Sequence, residues 1–106
     1  MKLTKNEKNL RKIMRDGFMS EGGLLFPHKL AGMVVAIRPC IGSESRFCEV
    51  SLAFCDFAED TWNRKRGEFV VLQKWERGEF VVVPLVDGAD LVGMGRVADM
   101  FFEMFA

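Results

Sequence analysis

The chain has 106 residues, 49% of them hydrophobic and 28% charged, so it has room for one core rather than two and too much apolar surface for intrinsic disorder. Fifteen Lys and Arg balance fifteen Asp and Glu, and zero net charge argues against binding nucleic acid by bulk charge and against acidic mimicry of DNA. No apolar run approaches the roughly 18 residues of a membrane span, the charged N-terminus lacks the apolar region of a signal peptide, and three irregularly spaced cysteines fit a reducing cytosol. These features predict a single cytoplasmic domain over residues 1–106, with no membrane partner.

Residues 4–20 read as a helix. Thr4-Lys5-Asn6-Glu7 matches the capping box, in which the Thr and Glu side chains each satisfy the other's backbone N–H. Leu10, Ile13, Met14 and Phe18 recur at helical spacing and predict one apolar face. Lys5, Lys8, Arg11, Lys12 and Arg15 fill the next arc, and Gly22-Gly23 stops the helix. Leu24–Lys29 contains Pro27 and reads as a loop. Met33–Arg38 is a β-branched run that predicts a strand, and Arg46–Cys55 predicts a second after a Pro- and Gly-containing turn.

Residues 56–66 are polar and read as a short helix near 57–65 or as a plain loop. The helix would have Asp56 as its cap, Glu59 and Asp60 early, and Arg64, Lys65 and Arg66 late, an order that suits the helix dipole. The hexapeptide Arg-Gly-Glu-Phe-Val-Val occupies 66–71 and again 77–82. That period is too short for a solenoid repeat. It reads as a hairpin of strands Glu68–Trp75 and Glu79–Val86, with Pro84 marking the last strand as an edge or as bulged. Ala89–Phe105 reads as a final helix with an apolar arc of about 200°, wider than the roughly 100° stripe of an ordinary surface helix. The expected fold class is α+β, a four-stranded antiparallel sheet packed by an N-terminal and a C-terminal helix in the order α-β-β-β-β-α.

Catalytic constellations are weak. His28, Cys40, Cys48 and Cys55 contain four potential zinc ligands but no Cys-x-x-Cys knuckle, so no metal is expected. Asp56, Glu59 and Asp60 read as a solvated face, no phosphate-loop motif occurs, and neither a cofactor nor catalysis is expected. The stripe Lys5, Lys8, Arg11, Lys12 and Arg15, joined by Trp62, Arg64, Lys65 and Arg66, is the candidate partner-binding set. Met100, Phe101, Phe102, Met104 and Phe105 are candidates for self-association, because both faces of the sheet and a wide helical arc call for cover. The leading expectation is a non-enzymatic, homodimeric module that covers the surface of a host or cellular protein. Phage and mobile-element inhibitors of the anti-CRISPR or anti-restriction type are often domains of this size. The alternatives are a nucleic-acid-binding accessory protein that uses the basic first helix, and a small enzyme or ligand-binding domain.

Overall fold

Thr4 opens the first helix as the capping motif predicts: its hydroxyl accepts from the Glu7 N–H at 3.2 Å, and the Glu7 carboxylate accepts from the Thr4 N–H at 2.9 Å. The bond from the Thr4 N–H, aided by the Thr4 hydroxyl nearby, holds the Glu7 carboxyl below its ordinary pKa. The computed structural model describes residues 2–42, 44, 46–55 and 61–105. Its order is α1 (Lys5–Ser20), β1 (Leu24–His28), β2 (Met33–Pro39), β3 (Phe47–Phe54), α2 (Arg64–Glu76), β4 (Val81–Pro84) and α3 (Leu91–Phe105).

The class is the expected one, α+β with four antiparallel strands in the order β1-β2-β3-β4. One strand is exchanged relative to the expected set. The Pro27 segment is strand β1 rather than a loop, and Glu68–Trp75 lies in helix α2 rather than in a hairpin. Pro27 is tolerated because β1 is an edge strand, and the register leaves its missing N–H on the outer side of the ladder. Pro84 occupies the matching position on the other edge, β4. Prolines at both margins blunt strand addition.

The repeated hexapeptide adopts two conformations. Its first copy follows Asn63, whose side chain caps α2 by accepting from the Arg66 N–H at 3.1 Å. Its second copy begins where α2 ends. Gly78 takes φ +76°, and the N–H groups of Gly78 and Glu79 bond back to the Trp75 and Lys74 carbonyls, closing the helix in a Schellman turn. The same Phe-Val-Val then continues into β4, where Val81 and Val83 pair with Val50 and Cys48. Local sequence is identical, so the flanking cap and stop decide the outcome.

Each face of the sheet carries helix. Met33, Val35, Ile37, Cys48 and Val50 pack against Met94, Val97, Ala98, Phe101 and Phe102 of α3. On the other face Val34, Ala36 and Ala53 meet Phe69, Val71 and Leu72 of α2, with Met14 and Phe18 of α1 completing the layer. Helix α2 lies over β2 and β3, and α1 leans mainly on α2. This packing rotates α1 from its expected orientation: Met14 and Phe18 are buried, but Leu10 and Ile13 stay in solvent.

Gly67 lets α2 lie close on the sheet. A Cβ there would stand 2.6 Å from Val34 Cγ2, and Val34 is a fully buried, χ1-restricted side chain. Overpacking of this kind costs about 1–3 kcal/mol and outweighs the helix-propensity gain of about 1 kcal/mol. Gly67→Ala is therefore expected to lower the urea midpoint, with a net loss of about 1 kcal/mol. If Gly67 instead sat at an open strand entrance, as the hairpin reading has it, the substitution would be neutral or stabilising.

Candidate functional site

Helices α1 and α2 run side by side in the same direction. Near their N-terminal ends, Lys2, Leu3 and Lys8 share a cleft with Asn63 and Lys65. Midway, Arg11 Nη1 donates to Glu68 Oε1 at 2.8 Å, with side chains only 14% and 7% exposed. Near the C-terminal ends, the Phe18 and Trp75 rings meet edge to face, 5.0 Å between centroids. Basic segments almost 50 residues apart in sequence thereby become neighbours.

The structure places Lys5, Lys8, Lys12, Arg64 and Lys65 in solvent, and Arg15 half-buried. Arg11 instead serves as the bridge to Glu68. Trp62 is half-buried against the α2 core cluster, so it is not a free stacking platform. Arg66 is half-buried beside it in a small cleft that also includes Cys55 and Gly67. The solvent arc of α1 continues from Lys8 and Lys12 round to Ile13 and Leu10, which are 69% and 46% exposed.

Arg64, Lys65 and Arg66 open α2; they do not close a short helix near 57–65. Residues 61–63 are not helical, and the proposed early residues Asp56, Glu59 and Asp60 lie outside the described residues. The first turn of α2 has no acidic residue, so three cations sit at the positive end of the helix dipole. That is the reverse of the order the sequence suggested. Each such charge costs the isolated helix some tenths of a kcal/mol, and local rules broken in this way concentrate at functional surfaces.

Beneath α1, at the β1 edge, lies a cleft of about 250 Å³ lined by Arg11, Arg15, Arg64 and Glu68, with Leu25 and Pro27 as an apolar wall. The Nε atoms of Arg11 and Arg15 are buried and have no hydrogen-bond partner among the described residues. No signal short of recognising α2 would have placed Glu68 in this site. The Asn63 cap followed by Phe69, Leu72 and Trp75 at near-helical spacing was that signal.

Comparison with known proteins assigns no family. No protein-family model, curated protein or solved structure matches this chain.

The remaining polar groups are structural. Arg38, on the α2 side of β2, pairs with Glu49 at 2.7 Å and with Glu21, and lies 4.9 Å over the Trp75 ring. Burial disfavours its charge, but the hydrogen bonds it donates to Glu49 and Glu21 outweigh this and hold its pKa above the usual value. Trp75 Nε1 donates to the same Glu49 carboxylate at 3.2 Å, so the ends of α1 and α2 are fastened to the sheet together. His28 Nδ1 accepts from the Ala31 N–H at 3.1 Å, and its ring lies tilted against Phe102, 4.7 Å between centroids. Cys48 is fully buried on the α3 face, and burial pushes its thiol up to about 11. Among the described residues, no three of His, Cys, Asp and Glu gather at metal-binding distance, and no helix is long and apolar enough to cross a membrane.

Of the five residues singled out for self-association, Phe101 and Phe102 are buried in the core of the chain itself. Met100, Met104 and Phe105 are exposed. Phe105 meets Phe54 of β3 edge to face at 5.3 Å, and both rings remain about half exposed, at 50% and 55%. Helix α3 lies over β1 and β2, and Phe54 and Val81 on the far half of that face stay open.

Proposed function

We propose that this chain is a non-enzymatic protein-binding module whose α1–α2 surface docks on an acidic partner protein. One observation carries the reading: along the seam of α1 and α2, Lys8 and Lys65 line one cleft with Leu3, and Arg11, Arg15 and Arg64 line another with Met19, Leu24 and Leu25. A phosphate backbone is recognised by positive charge along a groove. A mixed field of cations and aliphatic side chains suits a protein surface better, and the balanced total charge favours the same choice. A phage or mobile-element inhibitor of host machinery, acting by covering its target, would be one module of this kind.

The test is charge reversal. Lys8, Lys12 and Lys65 are exposed, so changing them to Glu should shift stability by about 0.5 kcal/mol or less each. Proteins captured from a cell lysate by the wild type should be lost with the triple variant and in high salt, which screens exposed charges beyond about 10 Å at 0.1 M. A partner retained by the variant would remove this surface from consideration. Salt-sensitive binding of random duplex DNA, lost on the same reversal, would replace the proposal with the nucleic-acid reading.

A second reading is that the module self-associates through α3 and the uncovered half of the sheet. Two half-exposed phenylalanines leave about 200 Å² in water. With Met100, Met104 and Val81 the patch reaches the upper part of the roughly 300–600 Å² found on monomers. Two copies face to face would bury about 1,000 Å², the lower limit for a specific interface. Equilibrium sedimentation should then give twice the chain mass of 12.1 kDa. Phe105→Asp should give a folded monomer, whereas Phe102→Asp should unfold the chain because Phe102 belongs to its core. A wild type that stays at 12.1 kDa at high concentration would rule the dimer out.

A further inference from the structure

The cleft beneath α1 is charged out of proportion to its size. Among the described residues, three guanidinium groups, Arg11, Arg15 and Arg64, line it against a single carboxylate, Glu68. Glu68 is committed to Arg11 Nη1 at 2.8 Å. The two remaining arginines have no carboxylate partner among the described residues, and the Nε atoms of both Arg11 and Arg15 lack an acceptor. Arg64 also stands in the first turn of α2, where the helix dipole adds positive potential to its charge. The net charge of the cleft, with Arg64 standing in the cation-loaded start of α2, calls for a negative group supplied from outside the chain.

We infer that this cleft binds a phosphate monoester. The side-chain charge of the cleft, three positive against one negative, matches a dianion rather than a single carboxylate. Guanidinium groups on successive turns of one helix and at the start of its neighbour can meet the oxygens of a tetrahedral phosphate from different sides, using planar paired donors. The volume of about 250 Å³ is several times the roughly 30 Å³ share of one water. It holds a phosphate together with part of the organic group that carries it, and Leu25 and Pro27 form an apolar wall for that group. The inference deepens the reading of the basic surface as a docking face. A phosphorylated side chain of the partner and a free small molecule both present such an ester, and the chemistry of recognition is shared.

The test uses the whole chain and three probes at constant ionic strength: phenyl phosphate, a short peptide carrying phosphoserine, and the same peptide without phosphate. Amide and arginine side-chain NMR shifts are followed. Phenyl phosphate should bind saturably, with a Kd of about 1 mM or tighter, and its shifts should centre on Arg11, Arg15, Arg64 and Leu25. Arg15→Ala and Arg64→Ala should each weaken binding about tenfold or more, the loss typical of one hydrogen bond to a charged group. Both variants should keep the wild-type circular dichroism. Arg46→Ala, exposed at the opposite edge of the sheet, should change the affinity by less than about twofold, because a screened charge outside the cleft contributes little. Tighter binding of the phosphopeptide than of phenyl phosphate assigns the ester to a partner protein, and equal or weaker binding assigns it to a free ligand. Shifts that never saturate, that spread over all the lysines, or that survive Arg64→Ala would overturn the inference. Phosphate binding that persists in the Lys8, Lys12 and Lys65 charge-reversal variant, after that variant has lost its protein partners, separates the cleft from the docking surface. Loss of both would show that the positive field of the surface, and not the cleft, holds the anion.

Discussion

The central strand of this fold is apolar on both sides. From Met33 to Ile37 every residue is buried, and neither face of β2 can be left to water. Each fully buried Val or Ile side chain contributes roughly 1.5–3 kcal/mol, so the sheet requires a helical layer on each face. One face is met by α3. On the other, α2 sits directly on β2 and β3, drawn close at Gly67. Helix α1 is then left to pack beside α2 more than on the sheet. That arrangement brings Arg11 to Glu68, Phe18 to Trp75 and Arg38 to Glu21 and Glu49. The basic surface follows from this layering, because the cationic arcs of two parallel helices are placed edge to edge.

A buried ion pair such as Arg11–Glu68 is a weak source of net stability, since desolvation offsets most of its attraction. Its role here is positional. With Glu68 fixed on α2, α1 turns Arg11 inward and leaves Leu10 and Ile13 outside, against the pattern of its own apolar residues. The side chains that look like core in the sequence therefore contribute to the exposed surface, and a charged one is taken into the interior.

The parts of the fold that were legible are those where local chemistry is unambiguous. The capping box at Thr4, the stop at Gly22-Gly23, the run Met33–Ile37 and the apolar repeat of α3 each specify one conformation. The hexapeptide Arg-Gly-Glu-Phe-Val-Val specifies neither, because Phe and Val suit a strand while Arg and Glu suit a helix. It is helical after the Asn63 cap and extended after the Gly78 stop, and the symmetry of its two copies pointed to a hairpin the chain does not make. The basic residues of the site were readable one by one. Their meeting was not, because it depends on α2, and the inward turn of Arg11 depends on a glutamate assigned to a strand. Pro27 misled in the same way, since a proline rules out a central strand but not an edge.

The central claim is that residues 64–76 form a helix lying parallel to α1, and the most direct measurement is a nuclear Overhauser spectrum of the chain in solution. The account predicts sequential amide–amide contacts throughout 64–76, a contact between the Phe18 and Trp75 rings, and contacts from Leu3 to Asn63 at the opposite end. Strong sequential Hα–amide contacts in 68–75, with cross-strand contacts from that segment to 79–86, would contradict it, and the shared basic surface would be lost with the helix.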